Sequence, residues 1–214
     1  GEMGELKVCV SVDKENKTIT VSDRGIGMTA EEIEKYINQI AFSGANDFLD
    51  KYKDDANAII GHFGLGFYSA FMVASSVTVI SRKYGEDTAW KWVSDGADGY
   101  TIEETTRDAA GTDIIMTLKA DTEDEKYSEF LQEYELRSLI KRYSDYIRYP
   151  IMMEMTKSRV KEETKDSDKP EYEQYFETET LNSMVPIWQR PKKDVKQEEY
   201  DQFYSEKFMT MDKP

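Results

Sequence analysis

Residues 6–12, Leu-Lys-Val-Cys-Val-Ser-Val, alternate strictly: Leu6, Val8, Val10 and Val12 face one way, and Lys7, Cys9 and Ser11 the other. A period of two marks a strand with one buried face. Asp13 to Asn16 supplies turn chemistry and Thr-Ile-Thr-Val-Ser at 18–22 resumes the strand pattern, so the two runs predict a hairpin. The period then lengthens. Thr29-x-x-Glu32 is a capping box, followed by Ile33, Tyr36, Ile37 and Ile40 at helical spacing. Residues 41–60 form a long polar insertion with little apolar rhythm, a pattern common in mobile lids.

A short apolar run at 68–73, Tyr-Ser-Ala-Phe-Met-Val, reads as helical, with Met72 in the core. Beyond it the pattern is a meander. Strands are expected near 76–83, 88–94, 100–105 and 112–119, separated by turns at Gly85-Glu86-Asp87, Gly96 to Gly99 and Ala110-Gly111. Thr122-x-x-Glu125 is expected to open a second helical stretch, with a core stripe of Leu136, Leu139, Ile140, Tyr143 and Ile147 ending before Pro150. Met152 and Met153 suit a short strand. Residues 156–180 are charged, and read as a linker or as a hairpin with a polar tip. Apolar residues return in 181–214, as at the start of another domain. The order of elements predicts an α+β fold: a two-layer sandwich of a mostly antiparallel sheet with helices on one face.

Composition narrows the function classes. The chain of 214 residues has 39% hydrophobic and 12% aromatic residues, too many for a disordered chain. Its net charge of −15 argues against a nucleic-acid binder, which needs a basic face for phosphates. No apolar run has the length of a membrane span, and the N-terminus reads as a strand rather than a leader. One cysteine, Cys9, and one histidine, His62, exclude an internal disulfide and a cysteine- or histidine-rich metal site. A reducing, cytoplasmic setting is expected.

Two glycine motifs carry the candidate chemistry. Asp23-Arg-Gly25-Ile-Gly27-Met28 lies between a strand and a capped helix, and Gly61-His-Phe-Gly64-Leu65-Gly66-Phe67 precedes the apolar run. Glycines at such junctions let backbone approach a ligand, and bare N–H groups bind anions. In an acidic chain this suggests a phosphate-bearing ligand held by backbone. Gly25-x-Gly27-x-x-Ala30 also matches the relaxed dinucleotide fingerprint, but that needs a parallel β-α-β unit, and the preceding strands form an antiparallel hairpin. No Walker loop and no nucleophile elbow occur. Asp23, ionised and acceptor-only, suits the exocyclic amine of adenine and disfavours guanine, whose carbonyl would face it. Gly27 lets a base lie against the backbone, and Met28 offers a soft apolar wall. Gly64, Leu65, Gly66 and Phe67 would offer N–H groups to phosphates. Gly111-Thr112 could bring a hydroxyl near the base.

Asp-x-Gly-x-Gly, Gly-x-x-Gly-x-Gly and Gly-Thr on a late strand resemble the Bergerat ATP-binding fold. DNA gyrase, histidine kinases, MutL-type repair proteins and the 90-kDa heat-shock chaperones share it. The chain is most similar to the chaperones, in their bacterial form. The segments that carry this are Asp-Arg-Gly-Ile-Gly-Met-Thr from 23, Ile-Ala-Phe-Ser-Gly from 40, the run from Ile59 to Val73, Ser138 to Ile151, and Asn182 to Arg190.

The resemblance implies an ATP-binding domain over 1–155, a lid over about 42–66 beginning near Ser43 and Gly44, a short charged linker at 156–180, and the start of a middle domain at 181–214. It implies that Asp23, Gly25, Gly27 and Met28 meet adenine, that Gly64 to Phe67 cradle phosphates, and that Thr112 supports the base through water. It further implies ATP or ADP with Mg²⁺, non-native client proteins and a homodimeric clamp. The family's helical Glu-x-x-x-Asn pattern, source of the general base and the Mg²⁺ ligand, is missing from residues 1–22, and the middle-domain arginine is expected beyond Pro214. This chain is therefore expected to be an interior fragment that does not turn over ATP. The alternatives are an ATP-binding domain of gyrase, MutL or histidine-kinase type, and an interaction module that keeps the fold without nucleotide.

Overall fold

A computed structural model describes residues 6–38, 67, 69–185 and 199. The expected hairpin is present: β1 (Val8–Asp13) pairs antiparallel with β2 (Thr18–Asp23), Val10 opposite Val21. The capping box also forms. Thr29 Oγ1 accepts from Glu32 N at 3.3 Å, and a Glu32 carboxylate oxygen accepts from Thr29 N at 2.9 Å. It opens α1 (Ala30–Ile33), which widens into a π-helical turn at Glu34–Asn38. The wider turn keeps Ile33 and Ile37 on the buried face, while Tyr36, expected on the apolar stripe, is exposed.

The meander follows as β3 (Ala74–Arg82), β4 (Ala89–Ser94), β5 (Tyr100–Thr105) and β6 (Gly111–Leu118). Then come α2 (Glu133–Ser144), β7 (Ile151–Val160) and β8 (Tyr172–Thr180). Together the described strands form one eight-stranded sheet in the order β5-β4-β3-β6-β2-β1-β7-β8. Every neighbouring pair is antiparallel except β1 and β7, which run parallel.

Register decides which face is buried. Ile19 of β2, Met116 of β6 and Val77 of β3 stand in one cross-strand row, so their side chains share a face. Two apolar clusters cover it. One joins Val10, Ile19, Leu118, Ile151 and Met153 to Leu136 and Ile140 of α2. The other joins Val77, Val79 and Trp92 to Ile33 and Ile37. The opposite face carries Thr18, Thr20 and Ser22 of β2 and Asp113 and Thr117 of β6. The sandwich is therefore the expected α+β arrangement, with few helices.

Several expectations are corrected. The run at 68–73 is a single 3-10 turn, Ser69–Met72. Phe71 takes its inward slot against Gly96 and Met72 points out, 41% exposed. Thr122 and Glu125 close a turn rather than a helix start, Glu125 N donating to Thr122 Oγ1 at 3.0 Å. Regular helix begins only at Glu133 and stops at Ser144, so Ile147 lies past its end, and both Tyr143 and Ile147 are exposed. Of the two readings of 156–180, the hairpin is the one adopted. β7 and β8 pair from Met152–Thr180 to Val160–Tyr172, with a 3-10 turn at Glu162–Thr164 in the tip. The linker reading fails because cross-strand ion pairs Lys157–Glu177, Arg159–Glu173 and Lys161–Glu171 let a charged sequence form a ladder. A boundary at 155 therefore falls inside β7. No helix among the described residues is long and apolar enough to cross a membrane.

Candidate functional site

The ends of β2, β6 and β3 bring the first glycine motif and the Gly-Thr pair together. Ser22 pairs with Asp113, and Ser81 with Thr112. One step further along the first register, Asp23 lies beside Thr112, whose N–H donates to Asp23 Oδ1 at 3.2 Å. Gly25 N–H donates to the same oxygen at 2.8 Å. Two backbone donors thus orient the carboxylate through Oδ1, and no described residue donates to Oδ2. An acceptor held this way is ready for a ligand's N–H.

Two glycines are required by close approach. Gly27 has φ +69°, and a Cβ there would stand 1.8 Å from the carbonyl oxygen of Arg82. Gly111 has φ +129°, and a Cβ there would meet the Asp23 carbonyl oxygen at 2.2 Å. Any side chain at either position would push the 24–28 loop away from the ends of β2 and β3. Tyr84 N–H donates to Ile26 O at 2.7 Å and ties the same loop down from the other side. Met28 and Phe67 both border the Val77–Trp92 cluster. The Phe67 ring meets that of Trp92 edge-on at 5.7 Å.

Asp23, Gly25, Gly27, Met28 and Thr112 are therefore assembled in one place, with Phe67 on the adjoining cluster. Ser43, Gly44, Gly64, Leu65 and Gly66, the lid at about 42–66 and His62 lie outside the described residues.

Three contributors escaped the sequence reading. Ser81 is fully buried and accepts from Met28 N–H at 2.8 Å. Its parity with Val77 and Val79, a hydroxyl on the inward side of a strand, was the available signal. Arg107 makes a two-pronged pair with Asp113, at 3.1 and 3.0 Å, and donates to Asp23 O at 2.8 Å. It clamps the 106–110 loop over the end of β2, and nothing local in the sequence marks it. Lys83 binds the Glu32 carboxylate at 2.7 Å. That ammonium, seconded by the Thr29 N–H, holds the Glu32 carboxyl below its usual range and fixes α1 to the end of β3.

The model of the histidine kinase-, DNA gyrase B- and HSP90-like ATPases matches residues 4–122, and the chain belongs to that family. The model described as Hsp90 protein matches residues 129–180 and 160–214. Among individual relatives, the chain is 54% identical over 213 residues to chaperone protein HtpG of Clostridium acetobutylicum, covering 98% of this chain and 33% of that protein. It is 52% identical over 206 residues to HtpG of Clostridium perfringens, covering 96% and 32%. It is 50% identical over 214 residues to HtpG of Clostridium botulinum, covering 100% and 34%. The chain thus spans about a third of the length of these curated relatives.

Proposed function

We propose that this chain is the nucleotide-binding part of an ATP-dependent molecular chaperone of the 90-kDa heat-shock type. One observation carries the reading: the Asp23 carboxylate is held through Oδ1 by two backbone N–H groups, no described residue donates to Oδ2, and Gly27 and Gly111 let the adjoining loop and strand pack backbone against backbone so that this acceptor is fixed in place. An acceptor-only carboxylate selects an amine-bearing base. The Hsp90 match over 129–214 favours the chaperone branch over gyrase, MutL or kinase types.

In this reading Asp23, Gly25, Gly27, Met28 and Thr112 hold adenine. Gly64, Leu65, Gly66 and Phe67 meet the phosphates, and residues about 42–66, from Ser43 and Gly44 onward, act as the lid. Nucleotide occupancy would switch a homodimeric, cytoplasmic clamp acting on non-native proteins. Mg²⁺ would enter with the phosphates, which it commonly does while keeping much of its water. Among the described residues no group of three or more His, Cys, Asp or Glu side chains converges on one point, so no residue here is assigned to it. Residues 1–22 carry no Glu-x-x-x-Asn pattern.

The test is thermal protection. A ligand that binds only the folded state raises the melting temperature in proportion to the logarithm of its concentration. ADP should raise it and GDP should not. Equal protection by both, or by neither, contradicts the adenine site.

A further inference from the structure

The Ser81 hydroxyl has three polar neighbours and one proton. Met28 N–H, at 2.8 Å, can only donate to it. The Gly111 carbonyl, at 3.2 Å, can only accept from it. Thr112 Oγ1, at 2.9 Å, could do either. One assignment satisfies all three: Ser81 gives its proton to Gly111 O, and Thr112 gives its own to Ser81. The reverse assignment would leave two oxygens facing each other at 3.2 Å with no proton between them. Ser81 is fully buried, so water cannot relieve that conflict.

We infer that Ser81 is a positioning residue that fixes the polarity of Thr112. With its proton committed to Ser81, Thr112 Oγ1 keeps only lone pairs for a ligand. Asp23 Oδ2, anchored next to it through the Thr112 N–H contact to Oδ1, is likewise acceptor-only. The edge formed by Asp23 and Thr112 is therefore all acceptor. It accepts the amine of a 6-aminopurine and opposes the carbonyl of a 6-oxopurine. A water between Thr112 and the ligand would have to donate to Thr112, leaving its second proton for the ring N1 of adenine, which accepts. The N1–H of a 6-oxopurine would meet that proton head-on. Without Ser81, the Thr112 hydroxyl is free to turn and donate, and the edge tolerates either base. This inference rests on the nucleotide reading above and deepens it.

The test measures ADP and IDP affinity by calorimetry on the full 214-residue chain. The variants are Ser81→Ala, Thr112→Val, the double variant, and Asp23→Asn as reference. Ser81→Ala should lower the ADP-to-IDP affinity ratio about tenfold, a difference of about 1.4 kcal/mol. Thr112→Val should lower it similarly, and the double variant no further, because both act on one group. A merely structural role for Ser81 would weaken ADP and IDP by the same factor, and that result overturns the assignment, as does additivity in the double variant. Should Ser81→Ala not fold, Thr112→Ser must keep the ratio while Thr112→Val loses it; equal ratios contradict the proposal. Absence of ADP binding by the unaltered chain would overturn the nucleotide reading and this inference together. Binding abolished by Asp23→Asn, with a ratio indifferent to Ser81, would overturn this inference alone.

Discussion

Two polar regions of the sheet are built in opposite ways. At the junction of β2, β6 and β3, a few polar groups are buried or half-buried, and each is tied to backbone. Ser81 and Thr112 are 0% and 9% exposed, and Arg107 bonds two carbonyls as well as Asp113. Along β7 and β8 the polar groups are far more charged and mostly exposed, as in Arg159–Glu173 and Lys161–Glu171. The junction has few permissible arrangements, because an unmade buried bond there has no water to replace it. The hairpin has many, because solvent can substitute for any partner. A geometry meant to recognise a ligand needs the first kind. Charge count is a poor guide to where it lies.

That contrast can be broken most severely at the glycines. Gly27→Ala would place a methyl where the Arg82 carbonyl oxygen stands 1.8 Å away, at a backbone angle that favours glycine. It should destabilise the fold by roughly 3 kcal/mol or more, read as a large drop in urea midpoint together with loss of ADP protection. Arg107→Ala comes next. It strips Asp113 of its partner and leaves the Asp23 carbonyl without the 2.8 Å donor, for a loss of about 2 kcal/mol, with ADP affinity falling more than stability alone explains.

A smaller effect tests the clamp on α1. The Glu32 carboxyl is held below its ordinary value by Lys83 and by the Thr29 N–H. A lowered folded value means the stabilisation is complete above the unfolded value and fades as pH falls through the folded one. Stability should therefore decline below about pH 4.5, and Glu32→Gln should flatten that decline while leaving neutral-pH folding intact; an unchanged acid profile would contradict it. The smallest effect is expected on the hairpin. Lys157 bridges Glu177 at 2.7 Å and Glu179 at 2.6 Å, yet these groups are solvent-accessible and screened by salt. Lys157→Ala should leave the melting temperature in 0.5 M salt (roughly a 4 Å screening length) within measurement scatter. A drop comparable to that of Arg107→Ala would erase the distinction between the two regions.

Legibility in the sequence followed the same divide between local and distant causes. The β1–β2 hairpin, the four-strand meander and the capping box are written in periods and spacings of two to four residues, and they formed close to where expected. That Asp23, Gly25, Gly27, Met28 and Thr112 come together was foreshadowed by their motifs, in which glycines mark tight backbone beside a carboxylate and a hydroxyl. Ser81 and Arg107 were not. The role of Ser81 exists only through the β3–β6 register, with a partner 31 residues away, and that of Arg107 through a carbonyl 84 residues away. Tyr143 and Ile147 fit a helical stripe, but the helix ends at Ser144, and spacing alone does not say where a helix stops. The charged stretch at 156–180 leaves a linker and a hairpin both open, because its pairing is between charges across two strands and is invisible to a hydrophobic pattern.

The central claim is that Asp23 is the base-selecting acceptor of a nucleotide site. Calorimetric titration of this chain with Mg-ADP, beside Asp23→Asn, tests it most directly. Asn presents a donor as well as an acceptor at the same size. The account predicts saturable binding by the unaltered chain and its loss in the variant, with both folded. Equal ADP affinity in the two would contradict it.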